Sequence, residues 1–105
     1  MQYALVLTTY PEEEAAKLFA EKIIKAKLAA CINVLPEMSS IYVWDGKVEH
    51  GRECQLLIKT RKSKFDELSR FITDNHPYEL PEIIEVPISN GLPNYLSWIN
   101  SVVAQ

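Results

Sequence analysis

Residues 3–8 (Tyr-Ala-Leu-Val-Leu-Thr) form an apolar, strand-prone run and predict a first, central strand. Ala16, Phe19, Ala20 and Ile23 then recur at helical spacing. They follow Thr9-Tyr10-Pro11-Glu12, which offers a capping hydroxyl, a first-turn proline and the first of three carboxylates suited to a helix N-terminus. Residues 29–35 return to a strand pattern, Pro36 interrupts it, and Ile41-Tyr42-Val43-Trp44 resumes it. Asp45-Gly46 is a two-residue hairpin signal, after which residues 48–60 come back as a third strand. Ser63 opens a second helix with Phe65, Leu68 and Ile72 inward. It ends at His76-Pro77, because proline excludes the preceding residue from a helical turn. Residues 83–88 predict a fourth strand. Gly91 breaks the chain before a last helix carrying Tyr95, Leu96, Trp98, Ile99 and Val102.

This order predicts an α+β fold: a ferredoxin-like βαββαβ antiparallel sheet, two helices on one face, and an added C-terminal helix, all in one domain over residues 1–105. With Asp45 and Gly46 as the loop, Trp44 faces Lys47 and the ladder places Ile32 opposite Lys59. That mixes apolar and polar residues on each face. Either a bulge near Pro36 or Gly51 shifts the register by one, or both sheet faces are buried. The two hairpin strands are longer than the others, so the hairpin should overhang the sheet. Its aromatics, Tyr42 and Trp44, point to a closed cyclic homo-oligomer in which hairpins cross to neighbouring subunits.

Charge narrows the function classes. The net charge of −3 supplies no basic surface for a nucleic acid or an anionic membrane. No apolar run approaches the ~20 residues of a membrane span, and the first residues lack the basic region and cleavage site of a secretory signal. Cytoplasmic residence is the expectation. Two cysteines, Cys31 and Cys54, are too few for a disulfide framework and read as core thiols.

The candidate chemistry concentrates in the connector His76-Pro77-Tyr78-Glu79-Leu80-Pro81-Glu82-Ile83. His76 with neighbouring carboxylates suits copper or zinc; equally, it is a helix C-terminal residue favoured by the dipole. Lys59 either holds an anion or pairs with Glu79 or Glu82. Those two glutamates have the chemistry of a general acid and base. No nucleophile elbow, phosphate loop or HExxH accompanies them, so no catalytic residue is assigned and no enzyme is expected.

Five separated motifs occur together: Lys27-Leu28-Ala29-Ala30-Cys31-Ile32-Asn33, Tyr42-x-Trp44-x-Gly46-Lys47-x-Glu49, Ile58-Lys59-Thr60, the connector itself, and Tyr95-Leu96-x-Trp98. In this combination the chain resembles the CutA family of divalent-cation tolerance proteins, from the first strand to the last helix. The resemblance implies a homotrimeric, non-enzymatic protein of metal-ion tolerance, with Cu2+ or another divalent cation as ligand. It implies a metal role for His76, and a cleft between subunits lined by Tyr42, Trp44, Lys59, Tyr78, Glu79 and Glu82. The copper ligands proposed for some bacterial members match Thr8, Asn75 and His76 here, and only His76 has a ligating side chain. The competing readings are a sensor that binds a small anion in those clefts, similar to the PII signalling proteins, and a trimeric protein scaffold.

Overall fold

The structure, a computed structural model, describes residues 2–104. Four strands and three helices follow one another as β1 (Tyr3–Tyr10), α1 (Glu13–Lys25), β2 (Cys31–Trp44), β3 (Lys47–Arg61), α2 (Phe65–Asn75), β4 (Ile84–Ile88) and α3 (Pro93–Val102). The sheet order is β2-β3-β1-β4 and every neighbouring pair is antiparallel. This is the βαββαβ arrangement with an added helix, as the hydrophobic pattern predicts.

Strand alternation separates two faces. Val6, Cys54, Leu56 and Ile58 pack against Ala16, Phe19, Ala20 and Ile23 of α1 and Leu68 and Ile72 of α2. The intervening residues Leu5, Leu7, Leu57 and Lys59 lie on the opposite face, with Ile84 and Val86 of β4 opposite Leu7 and Leu5. Much of that face stays uncovered: Leu35, Ile84 and Val86 are exposed. α3 approaches it where Tyr95 meets Lys59.

The hairpin resolves the register question with a bulge. Trp44 pairs with Lys47 and Met38 with Glu53, but Leu35 pairs with Gln55 and Ile32 with Ile58. The irregularity lies between Leu35 and Met38, so β2 holds one extra residue at Pro36–Glu37. Pro36 therefore bends β2 without ending it. The shift puts Ile32 and Val34 opposite Ile58 and Leu56, on the helix-covered face. Beyond the bulge the hairpin overhangs β1, whose pairing with β3 stops at Tyr10–Cys54. Its turn places both Asp45 (φ 53) and Gly46 (φ 75) in the left-handed region, as a tight hairpin requires.

The start of α1 differs from the sequence expectation. Thr9 does not cap it; β1 continues through Tyr10, Thr9 is buried, and the helix begins at Glu13 with Glu12 as its N-cap. Pairing with β3 outweighs the local cap signal. A 3-10 turn at Lys62–Lys64 likewise precedes α2.

Candidate functional site

The connector after α2 is drawn onto the end of β1 that β4 does not reach. Pairing between β1 and β4 stops at Leu7–Ile84, leaving Thr9 beyond the ladder. The His76 imidazole fills that position. Its Nε2 lies 2.6 Å from the Thr9 carbonyl, and its Nδ1 lies 3.1 Å from the Tyr78 backbone N. A backbone N–H can only donate, so Nδ1 accepts, and the proton sits on Nε2 facing the carbonyl. The ring also packs between Tyr10 and Tyr78, with centroids at 5.0 and 4.8 Å, and edge-on to Phe19.

Two further bonds hold the connector on the other side of β1. Tyr78 Oη donates to Glu53 Oε2 at 2.9 Å. Gln55 Nε2 donates to the Thr8 carbonyl at 2.8 Å and to Glu82 Oε2 at 3.3 Å. Glu53 and Gln55 are two residues apart on β3, so alternation places both on one face. Burial pushes the Glu53 carboxyl up, but hydrogen bonds from Ser40, Tyr78 and Thr9 and the nearby His76 outweigh it; the net result is a lowered pKa. Burial, then the bond to Glu53, raises the Tyr78 phenol well above its usual range.

The expected cleft residues separate into groups. Tyr42, Tyr78 and Glu82 cluster near Glu53 and Gln55; Tyr42 lies across Gly51 and close enough to Tyr78 to act on its titration. Glu79 is exposed and makes no hydrogen bond or ion pair among the described residues. Trp44 is half-exposed beside the hairpin turn. Lys59 pairs with neither Glu79 nor Glu82. It stands four residues along β3 from Gln55, roughly 13 Å, with its Nζ 5.7 Å from the Tyr95 ring centroid. The bonds made by Glu53 and Gln55 were not foreseen. Their shared face could be read from strand alternation, but not the arrival of the connector on it.

The three positions that the resemblance marks for copper are each buried or already bonded. Thr8 is fully buried on the helix-covered face, Asn75 Nδ2 bonds to the Phe71 carbonyl, and both ring nitrogens of His76 are engaged. Among the described residues no group of three or more His, Cys, Asp or Glu side chains is placed to hold a metal ion. Within one chain the residues present do not fit a metal site. Cys54 is buried opposite Tyr10 and Cys31 faces Lys59 at the far end of the same strand, so the thiols are apart as well.

Residues 4–102 match the family model for the CutA1 divalent ion tolerance protein. The chain belongs to the CutA1 family. A CutA homolog from Xenopus laevis is 44% identical over 97 residues, covering 92% of this chain. The divalent-cation tolerance protein CutA of Thermus thermophilus is 41% identical over 95 residues, covering 90% of this chain and 92% of its own. The crystal structure of CutA1 from Oryza sativa superimposes with a TM-score of 0.96 at 41% identity, covering 100% of this chain and 96% of that one. The chain spans 64% of the length of the frog relative and 53% of that of a relative from Arabidopsis thaliana named as chloroplastic. The chain has the mixed α+β fold of CutA1 structures. Among the described residues no helix is long and apolar enough to cross a membrane.

Proposed function

We propose that this chain acts as a cytoplasmic, non-enzymatic homotrimer in divalent-cation tolerance, holding its ion in clefts that subunits form together. The observation that carries the reading is the uncovered apolar surface. Ile84, Val86 and Leu35 on the open sheet face, and Ile41, Val43 and Val48 on the overhanging hairpin, are all exposed in one chain. An apolar surface of that extent calls for a protein partner, and a second and third copy of the same chain supply matching faces. Copper is the ion proposed; His76 and a Glu79 or Glu82 carboxylate are the groups that would hold it between subunits.

The competing reading is a sensor of a small anion. It draws support from Lys59, which forms no ion pair among the described residues and lies on the open face over Tyr95. Two measurements on the purified protein decide. Sedimentation velocity at micromolar concentration should give a trimer; a monomer overturns the assembly. A chelator-competed copper titration should show a defined stoichiometry that His76→Ala abolishes. His76→Gln, which removes the imidazole but keeps a donor for Thr9, separates lost binding from lost folding. Binding unchanged in both variants removes His76 from the site and moves the reading to the anion.

A further inference from the structure

We infer that Glu53 is the positioning residue of the connector, an ionised carboxylate that fixes Tyr78 and so sets where Glu79 and Glu82 are presented. The inference rests on the reading of the connector as part of a binding cleft.

Glu53 sits at the root of the overhanging hairpin, one residue before β3 begins pairing with β1 and opposite Met38 at the bulge. It is only partly exposed, and no Lys or Arg forms an ion pair with it among the described residues. Hydroxyl groups surround it instead. Tyr78 Oη donates to it at 2.9 Å, and the hydroxyls of Ser40 on β2 and Thr9 on β1 help hold its pKa down. The Tyr78–Glu53 bond thus ties the connector to the root of the hairpin. A hydrogen bond to an ionised acceptor is the stronger kind.

The connector is held at three points. His76 is fixed to the Thr9 carbonyl, Tyr78 to Glu53, and Glu82 to Gln55. Pro77 and Pro81 stiffen the chain immediately before Tyr78 and Glu82. Glu79 and Leu80 form the span between the last two points, and both are exposed. With Tyr78 released, this span is anchored only at His76 and Glu82. The direction of the Glu79 carboxylate is then no longer determined. Tyr78 is the middle anchor, and Glu53 is what it holds.

The test is amide hydrogen exchange of the full chain as wild type, Glu53→Gln, Tyr78→Phe and the double variant. Glu53→Gln keeps the side-chain shape and an acceptor oxygen, and Tyr78→Phe keeps the ring, so each guards against misfolding of the other. Each single variant should speed exchange at the Tyr78 amide, which donates to His76 Nδ1, by about tenfold, the effect of weakening one charge-assisted hydrogen bond. Amides of β1 and β3 that face each other should keep wild-type exchange. The double variant should go no further than Tyr78→Phe alone, because both changes act on the same bond. Unchanged exchange in the connector overturns the inference. So does equal acceleration in connector and strands, which makes Glu53 a general stabiliser. Full additivity also overturns it, because the two residues would then act separately. Sedimentation of the same samples keeps the two readings distinct: a monomeric wild type sinks the cleft, while the exchange pattern still decides the role of Glu53.

Discussion

The imidazole of His76 stands where a strand residue opposite Thr9 would be, donating to the Thr9 carbonyl at 2.6 Å beyond the last pair of β1 and β4. A side chain thus completes the backbone bonding of the central strand. His76→Ala leaves the Thr9 carbonyl and the Tyr78 N–H without these partners and opens space beside Tyr10 and Phe19. The expected loss is about 2–3 kcal/mol, from unsatisfied backbone groups and aromatic contacts together. His76→Gln should recover part of it. Denaturant unfolding of the three proteins checks this, and equal midpoints would show that the ring carries no structural load.

Thr8 offers a gain. Its side chain is fully buried, and Oγ1 has no hydrogen-bond partner among the described residues. Thr8→Val keeps the shape, removes a desolvated hydroxyl and adds a residue suited to a strand. Stability should rise by about 1 kcal/mol, read as a higher denaturation midpoint at unchanged slope. A lower midpoint would mean that the hydroxyl is satisfied in solution.

The titrating groups bracket a stable pH range. Glu53 has a lowered pKa in the folded chain, so its contribution is present above the ordinary glutamate value of about 4.3 and is lost as the pH falls through its folded value. Tyr78, by burial and its bond to Glu53, and Tyr10, by burial, have raised pKa values. Their contributions are present below the ordinary tyrosine value of about 10 and are lost as the pH rises beyond it. Melting temperature against pH should be flat between these limits and fall on both sides. Tyr78→Phe should fall less steeply on the alkaline side. Identical alkaline slopes in the two proteins would contradict the Tyr78 assignment.

The strands and helices were legible because their apolar periods differ; the register slip was legible only as one of several options, and pairing places it at Pro36 rather than Gly51. The start of α1 was not legible. Thr9 and Pro11 resemble a helix entry, yet β3 offers Gln55 and Cys54 to Thr9 and Tyr10, and the strand wins. The connector stood out by composition, but its partners did not. Tyr78 meets Glu53 across 25 positions and Glu82 meets Gln55 across 27. No local pattern encodes such pairs; they depend on β4 being short enough to leave the end of β1 open. The expected pairing of Lys59 with the connector glutamates failed for a geometric reason, since Gln55 occupies the place on β3 nearest Glu82.

The hairpin tip gives the sharpest test of assembly. Val43 pairs with Val48, and in one chain they are 70% and 67% exposed. On a free surface Val43→Lys changes stability by no more than about 0.5 kcal/mol. In the proposed trimer the tip lies against a neighbouring copy, and the same change leaves an unpaired ammonium in an apolar contact. The cost should then be several kcal/mol, enough to dissociate the assembly at micromolar concentration. Sedimentation should show Val43→Lys shifted toward a smaller species, with a melting temperature below that of the wild type. Val43→Ile, apolar and slightly larger, should stay assembled. If Val43→Lys sediments and melts like the wild type, the hairpin tip faces solvent and the subunits must meet through the open sheet face alone.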